Sequence, residues 1–316
     1  MLTRRTFLFT AAVPISAAPS LTSRERVNRV LEGKEPDRQP FSYWYHFGLE
    51  KYPGERHAKA TLDFHRRLRT DVVKVMSDYP YPKSAGKWYE LREQQDPFPE
   101  QIRALELIRD GLAGRAHFVE TIFNPWNQAT KISSKDAVLE LKRQNPQRLL
   151  DTLEIIAKSE ANHARRAVQA GASGIFLAID NAHEGSLSRE DYARFSEPFD
   201  KMILEAVKTA PLNILHIHGD RIYLDRFYRG WLAATINYSV HGSGISFEEA
   251  RRHYTGVLMG GIDEVHFRKL TEDQMKAQWM TAQKAAGPKY ILAPGCSVPN
   301  DTTDEELLRL TRAVGA

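Results

Sequence analysis

From about residue 24 onward, short apolar runs alternate with longer stretches whose apolar residues recur at helical spacing. The runs are 39–45, 71–76, 117–123, 174–179, 212–216, 234–238, 257–262 and 289–296, which makes eight predicted strands. Nearly all are apolar at consecutive positions, the pattern of strands buried on both faces. The clearest helix spans 146–170. Pro146 suits its first position and Asn145 its cap, and Leu149, Leu153, Ile156, Ala161, Ala164 and Val168 form an apolar stripe. Gly171 ends it. Further helices are predicted over 58–68, 190–209, 246–253, 271–286 and 304–313, with Ser246 and Glu249 placed as a capping box. Strand–helix alternation of this kind predicts an α/β fold, a single (β/α)8 TIM barrel. A doubly wound open sheet is the alternative. No glycine-rich fingerprint follows the early strands, which weighs against a dinucleotide-binding version. No internal repeat or linker divides residues 19–316, so one domain is expected.

The first eighteen residues break the pattern. Arg4-Arg5 precede an apolar stretch from Phe7 to Ile15, and Ser16-Ala17-Ala18 follow. That is the layout of an export signal, and the arginine pair points to the Tat route. The stretch is too short for a stable membrane span. The mature chain is therefore expected outside the cytoplasm, periplasmic or extracellular, with no integral membrane segment. The rest of the composition is ordinary for a globular protein: 42% hydrophobic and 27% charged over 316 residues. A formal charge of +4 is too small to argue for nucleic acid, and the basic clusters Arg66-Arg67 and Arg251-Arg252-His253 fall in helical segments as solvated faces. A small-molecule substrate fits better, and the oligomeric state is not encoded in any of these features. The single cysteine, Cys296, permits no internal disulfide.

Polar residues gather where the predicted strands end, the place where such barrels carry their chemistry. The ends present Ser77-Asp78, Asn124, Asp180-Asn181, His216 and His218, Asn237 with Ser239 and His241, Asp263, and Cys296. Singly, each Asp, Asn or Ser is also a good loop cap. His216 and His218 stand two apart on one strand, so both can face the barrel interior. With Cys296 they make three candidate ligands of an open zinc site. Asp78, Asp180 and Asp263 are the candidate catalytic carboxylates.

Several segments then resemble a known family. Thr22-Ser23-Arg24-Glu25-Arg26-Val27 and Glu35-Pro36-Asp37-Arg38-Gln39-Pro40 are similar to the N-terminal signature of the uroporphyrinogen decarboxylase superfamily. So are Ile214-Leu215-His216-Ile217-His218-Gly219-Asp220, Met259-Gly260-Gly261-Ile262-Asp263 and Tyr290 to Pro299. The resemblance covers residues 22–316 and implies a (β/α)8 barrel. In the decarboxylase branch it implies an aspartate in a Ser-Asp turn, matched by Ser77-Asp78, and arginines after the first strand. Tyr45-His46-Phe47-Gly48-Leu49-Glu50 stands where those arginines belong, so the clamp for a substrate with eight carboxylates is missing.

In the other branch, zinc-dependent methyltransferases that move a methyl group between a corrinoid and a thiol, the resemblance implies zinc on a His-x-Cys pair and a later Cys. His216 and Cys296 match, and His218 stands where the first Cys would be. Histidine is an ordinary zinc ligand, so coordination is kept in kind, but the site becomes one unit more positive. The expectation is a zinc-dependent, methyltransferase-like enzyme. Corrinoid as co-substrate sits poorly with an exported protein, and hydrolytic or lyase chemistry competes. A porphyrinogen decarboxylase and a non-catalytic exported binding protein are the alternatives.

Overall fold

The computed structural model describes residues 20–77 and 79–316. The expected export signal, residues 1–18, and the candidate Asp78 lie outside the described residues.

Seven strands form one curled parallel sheet: β1 Val72–Val75, β2 His117–Phe123, β3 Ile175–Ile179, β4 Ile214–Ile217, β5 Thr235–Tyr238, β6 Val257–Ile262 and β7 Tyr290–Pro294. Neighbours in sequence are neighbours in the sheet. Every pair is parallel, as the consecutive apolar runs require. The first expected strand, 39–45, is reduced to a single bridge from Phe41 to Leu292. Ser42 N–H donates to Leu292 O and Leu292 N–H to Pro40 O, both at 2.9 Å, while Asp71 N–H donates to Phe41 O at 2.8 Å. That backbone stands between β7 and β1, but Pro40 has no N–H to add to the ladder. The expected eight-stranded barrel is met to that extent.

Two apolar layers hold the sheet. On the inner face Val72, Val119, Phe176, Ile214, Val257 and Ile291 join in one cluster, and Val27 and Val30 of the helix Ser23–Leu31 close it from below. On the outer face the helices pack; the longest, Pro146–Gln169, has Asn145 Oδ1 accepting Arg148 N–H at 3.0 Å, the cap its sequence announced. Ser246 accepts Glu249 N–H, one half of the expected capping box. The helix expected over 190–209 is split into Arg189–Phe195 and Glu197–Glu205. Pro198 cannot donate to the preceding turn, and Ser196 at the break donates to Asp200 Oδ2 at 3.0 Å. No described helix is long and apolar enough to cross a membrane.

Candidate metal centre

His216 and His218 reach one space because the β4 ladder outlasts the strand. His218 N–H still donates to Ile179 O at 2.9 Å, so the two-residue alternation holds and the rings lie 5.8 Å apart. Gly219 then turns the chain at φ +113°, where a Cβ would meet His183 at 2.9 Å. Cys296 follows β7 in the same way. A Cβ on Gly295 would lie 2.2 Å from Ser239 Cα, so only glycine lets β7 end this close to β5. Gly295 N–H donates to Glu264 Oε2 at 3.1 Å, fixing the backbone just before the thiol. One ligand atom each from His216, His218 and Cys296 then falls within 4.8 Å of the others.

The surroundings orient this set. His216 is paired in register with Ala178 and Asn237, and its Nδ1 lies 2.7 Å from Asn237 Oδ1. Asn237 Nδ2 donates to Met259 O and Pro294 O, both at 3.1 Å, so the amide cannot turn over. An amide oxygen only accepts; His216 therefore presents Nδ1–H to Asn237 and turns Nε2 toward Cys296. Burial pushes the Cys296 thiol up, but hydrogen bonds to His216 and His218 outweigh it and hold the thiol well below its ordinary range. His218 is raised by its hydrogen bond to Cys296, against partial desolvation. Two imidazole nitrogens and a thiolate, converging with one side open, are donors that fit a borderline ion such as zinc.

The set opens on a cavity of about 270 Å³ that Trp44, Lys74, Thr121, Phe176, Asn127 and Asp180 also line. Asn127 donates to Asp180 Oδ2, while Asp180 Oδ1 is buried without a hydrogen-bond partner among the described residues. Burial raises the Asp180 carboxyl, with the charge of His218 opposing. A second cavity of about 470 Å³ shares His46 and Phe123 with the first and is bordered by Ser77, Tyr79 and Lys131. Neither cavity has an arginine in its described lining.

Of the expected residues, His216, His218, Cys296 and Asp180 are brought together. Asp263 is not. Its carboxylate accepts His266 N–H at 3.0 Å and meets His266 Nδ1 at 2.8 Å, a loop cap outside the cavity lining. Its neighbour Glu264 is the carboxylate that reaches the Cys296 loop. Asn124 and Asn181 turn instead into a buried cluster, where Asn124 Nδ2 donates to Asn181 Oδ1 at 2.8 Å and approaches Asp200. Burial pushes Asp200 up to about 7 there. Lys74, Trp44, Phe176 and Asn127 went unmarked in the sequence. Lys74 alone left a signal, a charge inside the apolar run 71–76.

Comparison with known proteins agrees with this architecture. A family model described as uroporphyrinogen decarboxylase (URO-D) matches residues 74–316. A uroporphyrinogen decarboxylase of Synechococcus sp. (strain JA-3-3Ab) is 27% identical over 263 residues, 67% of this chain and 72% of that protein. One from Prochlorococcus marinus (strain MIT 9211) is 27% identical over 219 residues, 66% of this chain and 60% of that protein. Among solved structures, a methyltransferase from Methanosarcina mazei superposes with a TM-score of 0.75 at 18% identity, covering 93% of this chain and 98% of its own. A B12-independent methionine synthase from Shewanella sp. W3-18-1 gives 0.61 at 12% identity, covering 96% of each chain. At these identities the structural likeness speaks for the fold.

Proposed function

The chain belongs to the uroporphyrinogen decarboxylase family, and within it we propose a zinc-dependent, methyltransferase-like enzyme whose site is the cavity at the carboxyl ends of the strands. His216, His218 and Cys296 would hold the ion. The observation that carries this reading is the convergence of their ligand atoms within 4.8 Å, with His216 presenting Nδ1–H to Asn237. Bound there, zinc supplies Lewis acidity that keeps a thiol or water as its anion at neutral pH. Asp180 faces the same space with one oxygen unpartnered, placed to take the proton a substrate thiol gives up. The sulfur then attacks an electrophilic methyl carbon, and the donor leaves with the bonding electron pair. Trp44 and Phe176 wall the cavity and limit water.

One observation favours this over a decarboxylase. Among the described residues the cavity linings offer no arginine clamp for a many-carboxylate substrate. With His218 in place of a thiolate, the ligand set carries one negative charge fewer and would favour activation of water over that of a thiol, so hydrolysis is the reaction to screen beside methyl transfer. A corrinoid donor is not required by this scheme.

Metal analysis of the purified protein tests the proposal. About one zinc per chain is expected, lost in the His216→Ala/Cys296→Ala variant. A full complement in that variant would sink it, and coproporphyrinogen formed from uroporphyrinogen by metal-free protein would replace it with the decarboxylase reading. Export through residues 1–18 is proposed alongside; a full-length chain retained in the cytoplasm would count against it.

A further inference from the structure

Asp180 and the amide that holds it come from separate pieces of chain. Asp180 follows β3, while Asn127 lies in the first turn of the helix Pro125–Ile132, which follows β2. Asn127 Nδ2 donates to Asp180 Oδ2, and both residues line the cavity of the candidate metal centre. The bond keeps its geometry only if that short helix and the loop after β3 are fixed to each other. Asn124 reaches both. Its N–H donates to Ala178 O of β3 at 3.0 Å, and its Oδ1 caps the helix by accepting Asn127 N–H at 3.2 Å. Its Nδ2 points the other way, donating to Asn181 Oδ1 at 2.8 Å and to Ser196 Oγ at 3.0 Å. Asn181 is the residue next to Asp180. One amide therefore grips the backbone of Asn127 on one side and the neighbour of Asp180 on the other.

Proton accounting fixes which way that amide points. A backbone N–H only donates, so Oδ1 must face Asn127 and Nδ2 must face Asn181. Both Nδ2 hydrogens are used. Ser196, at the break between the helices Arg189–Phe195 and Glu197–Glu205, passes its hydroxyl hydrogen to Asp200 Oδ2 at 3.0 Å. Tyr192 OH donates to the same oxygen at 3.1 Å. The hydrogens along this chain all run toward Asp200. Asn124, Asn181, Ser196, Asp200 and Tyr192 are fully buried, so water offers them no competing partners. None of them lines either cavity, so any effect on the site passes through Asn127 and Asp180.

We infer that Asn124 is a positioning residue of the site: it sets the Asn127–Asp180 contact by tying the helix Pro125–Ile132 to the loop after β3, and the Ser196–Asp200–Tyr192 cluster anchors it. The inference rests on the proposed reading only in taking Asp180 as the group that faces the reaction.

NMR of zinc-free protein with labelled asparagine side chains tests it. The Asn127 side-chain amide, assigned by its loss in Asn127→Ala, is expected downfield of a free asparagine and slow to exchange with solvent. Asn124→Ser keeps a cap oxygen but loses the Nδ2 donor. In that variant the Asn127 amide should return toward the free position and exchange at least about tenfold faster. Asn181→Ala, which removes the acceptor and leaves the cap intact, should do the same. The Asn237 side-chain amide, held by Met259 O and Pro294 O, should stay protected in both. Retained shift and protection of Asn127 in either folded variant would overturn the inference. So would release of Asn127 and Asn237 together, which would show Asn124 to serve the fold alone. A free, fast-exchanging Asn127 amide in the unaltered protein overturns it even if neither variant folds. Zinc uptake by the unaltered protein separates the two ideas. A bound Asn127 amide without zinc uptake sinks the metal reading alone, and zinc uptake with a free Asn127 amide sinks this one alone.

Discussion

The two ends of the sheet carry polar clusters built on opposite principles. Below β1, Asp71 is fully buried and both its oxygens are paired: Arg26 Nη1 at 2.7 Å, Arg38 Nη1 at 2.6 Å and Phe41 N–H at 3.1 Å. Arg26 turns its other nitrogens to Asp37, with Nε at 2.6 Å and Nη2 at 2.8 Å. This network ties the helix Ser23–Leu31 and the Phe41 bridge to the start of β1. At the upper end Asp180 Oδ1 and Asn127 Oδ1 are buried without partners among the described residues. His216, His218 and Cys296 keep a side open to the cavity. A satisfied network rigidifies, and an unsatisfied one is costly and persists where a ligand completes it. The lower cluster closes the fold; the upper one leaves valence for something else.

The largest expected effect lies below. Asp71→Asn leaves two buried or half-buried guanidinium groups short of a counter-charge, and should cost about 3 kcal/mol or more by urea denaturation. Zinc content of the folded fraction should not change. A loss of metal with no loss of stability would reverse the assignment of the two ends. Next comes Asn237→Ala above, which frees the His216 ring. Zinc affinity measured by competition with a chelator should fall roughly 10–100-fold; unaltered affinity would mean that Asn237 serves the sheet alone. Smaller still is Asp180→Asn. Neutralising a buried carboxylate with one oxygen unpartnered among the described residues should leave stability unchanged or raise it by about 1 kcal/mol. A drop of that size would show the carboxylate to be structural, like those below.

The contrast was partly readable from the chain. The three ligands could be found because strand ends and i, i+2 spacing are local rules, and β4 and β7 end where the apolar runs end. The match of Asp304–Ala313 to its predicted bounds has the same cause, an apolar stripe behind a Thr303–Glu306 capping box. What stayed hidden depends on register and on which face is inner. Both faces of β1 are buried, so nothing local shows that Lys74 points inward while Val73 packs against the helix Pro99–Leu112. Asp263 and Asp180 look alike in sequence. A histidine three residues on turns Asp263 into a loop cap, whereas Asn127, from a distant helix, holds Asp180 at the cavity. The residues of the N-terminal signature, Arg26 and Asp37, turned out to serve the closing network and not the site.

The smallest effect tests that network by pH. Hydrogen bonds from Arg26 hold the Asp37 carboxyl down to about 2 against an ordinary 3.8, with burial opposing. A carboxyl that ionises more readily in the folded state stabilises the fold at every pH above its unfolded value. The contribution shrinks as pH falls through 3.8 and is gone below about 2. Asp37 is about a third exposed, so solvent screening reduces the gain to about 1 kcal/mol or less. Asp37→Asn should therefore lower stability by roughly that amount, evenly and without change of slope between pH 5 and pH 8, and flatten the decline between pH 4 and pH 2 in a series of urea titrations, so that the two proteins converge near pH 2. An unchanged acid limb would mean that Asp71 alone carries the lower cluster, and that Arg26 needs no second carboxylate to stay buried.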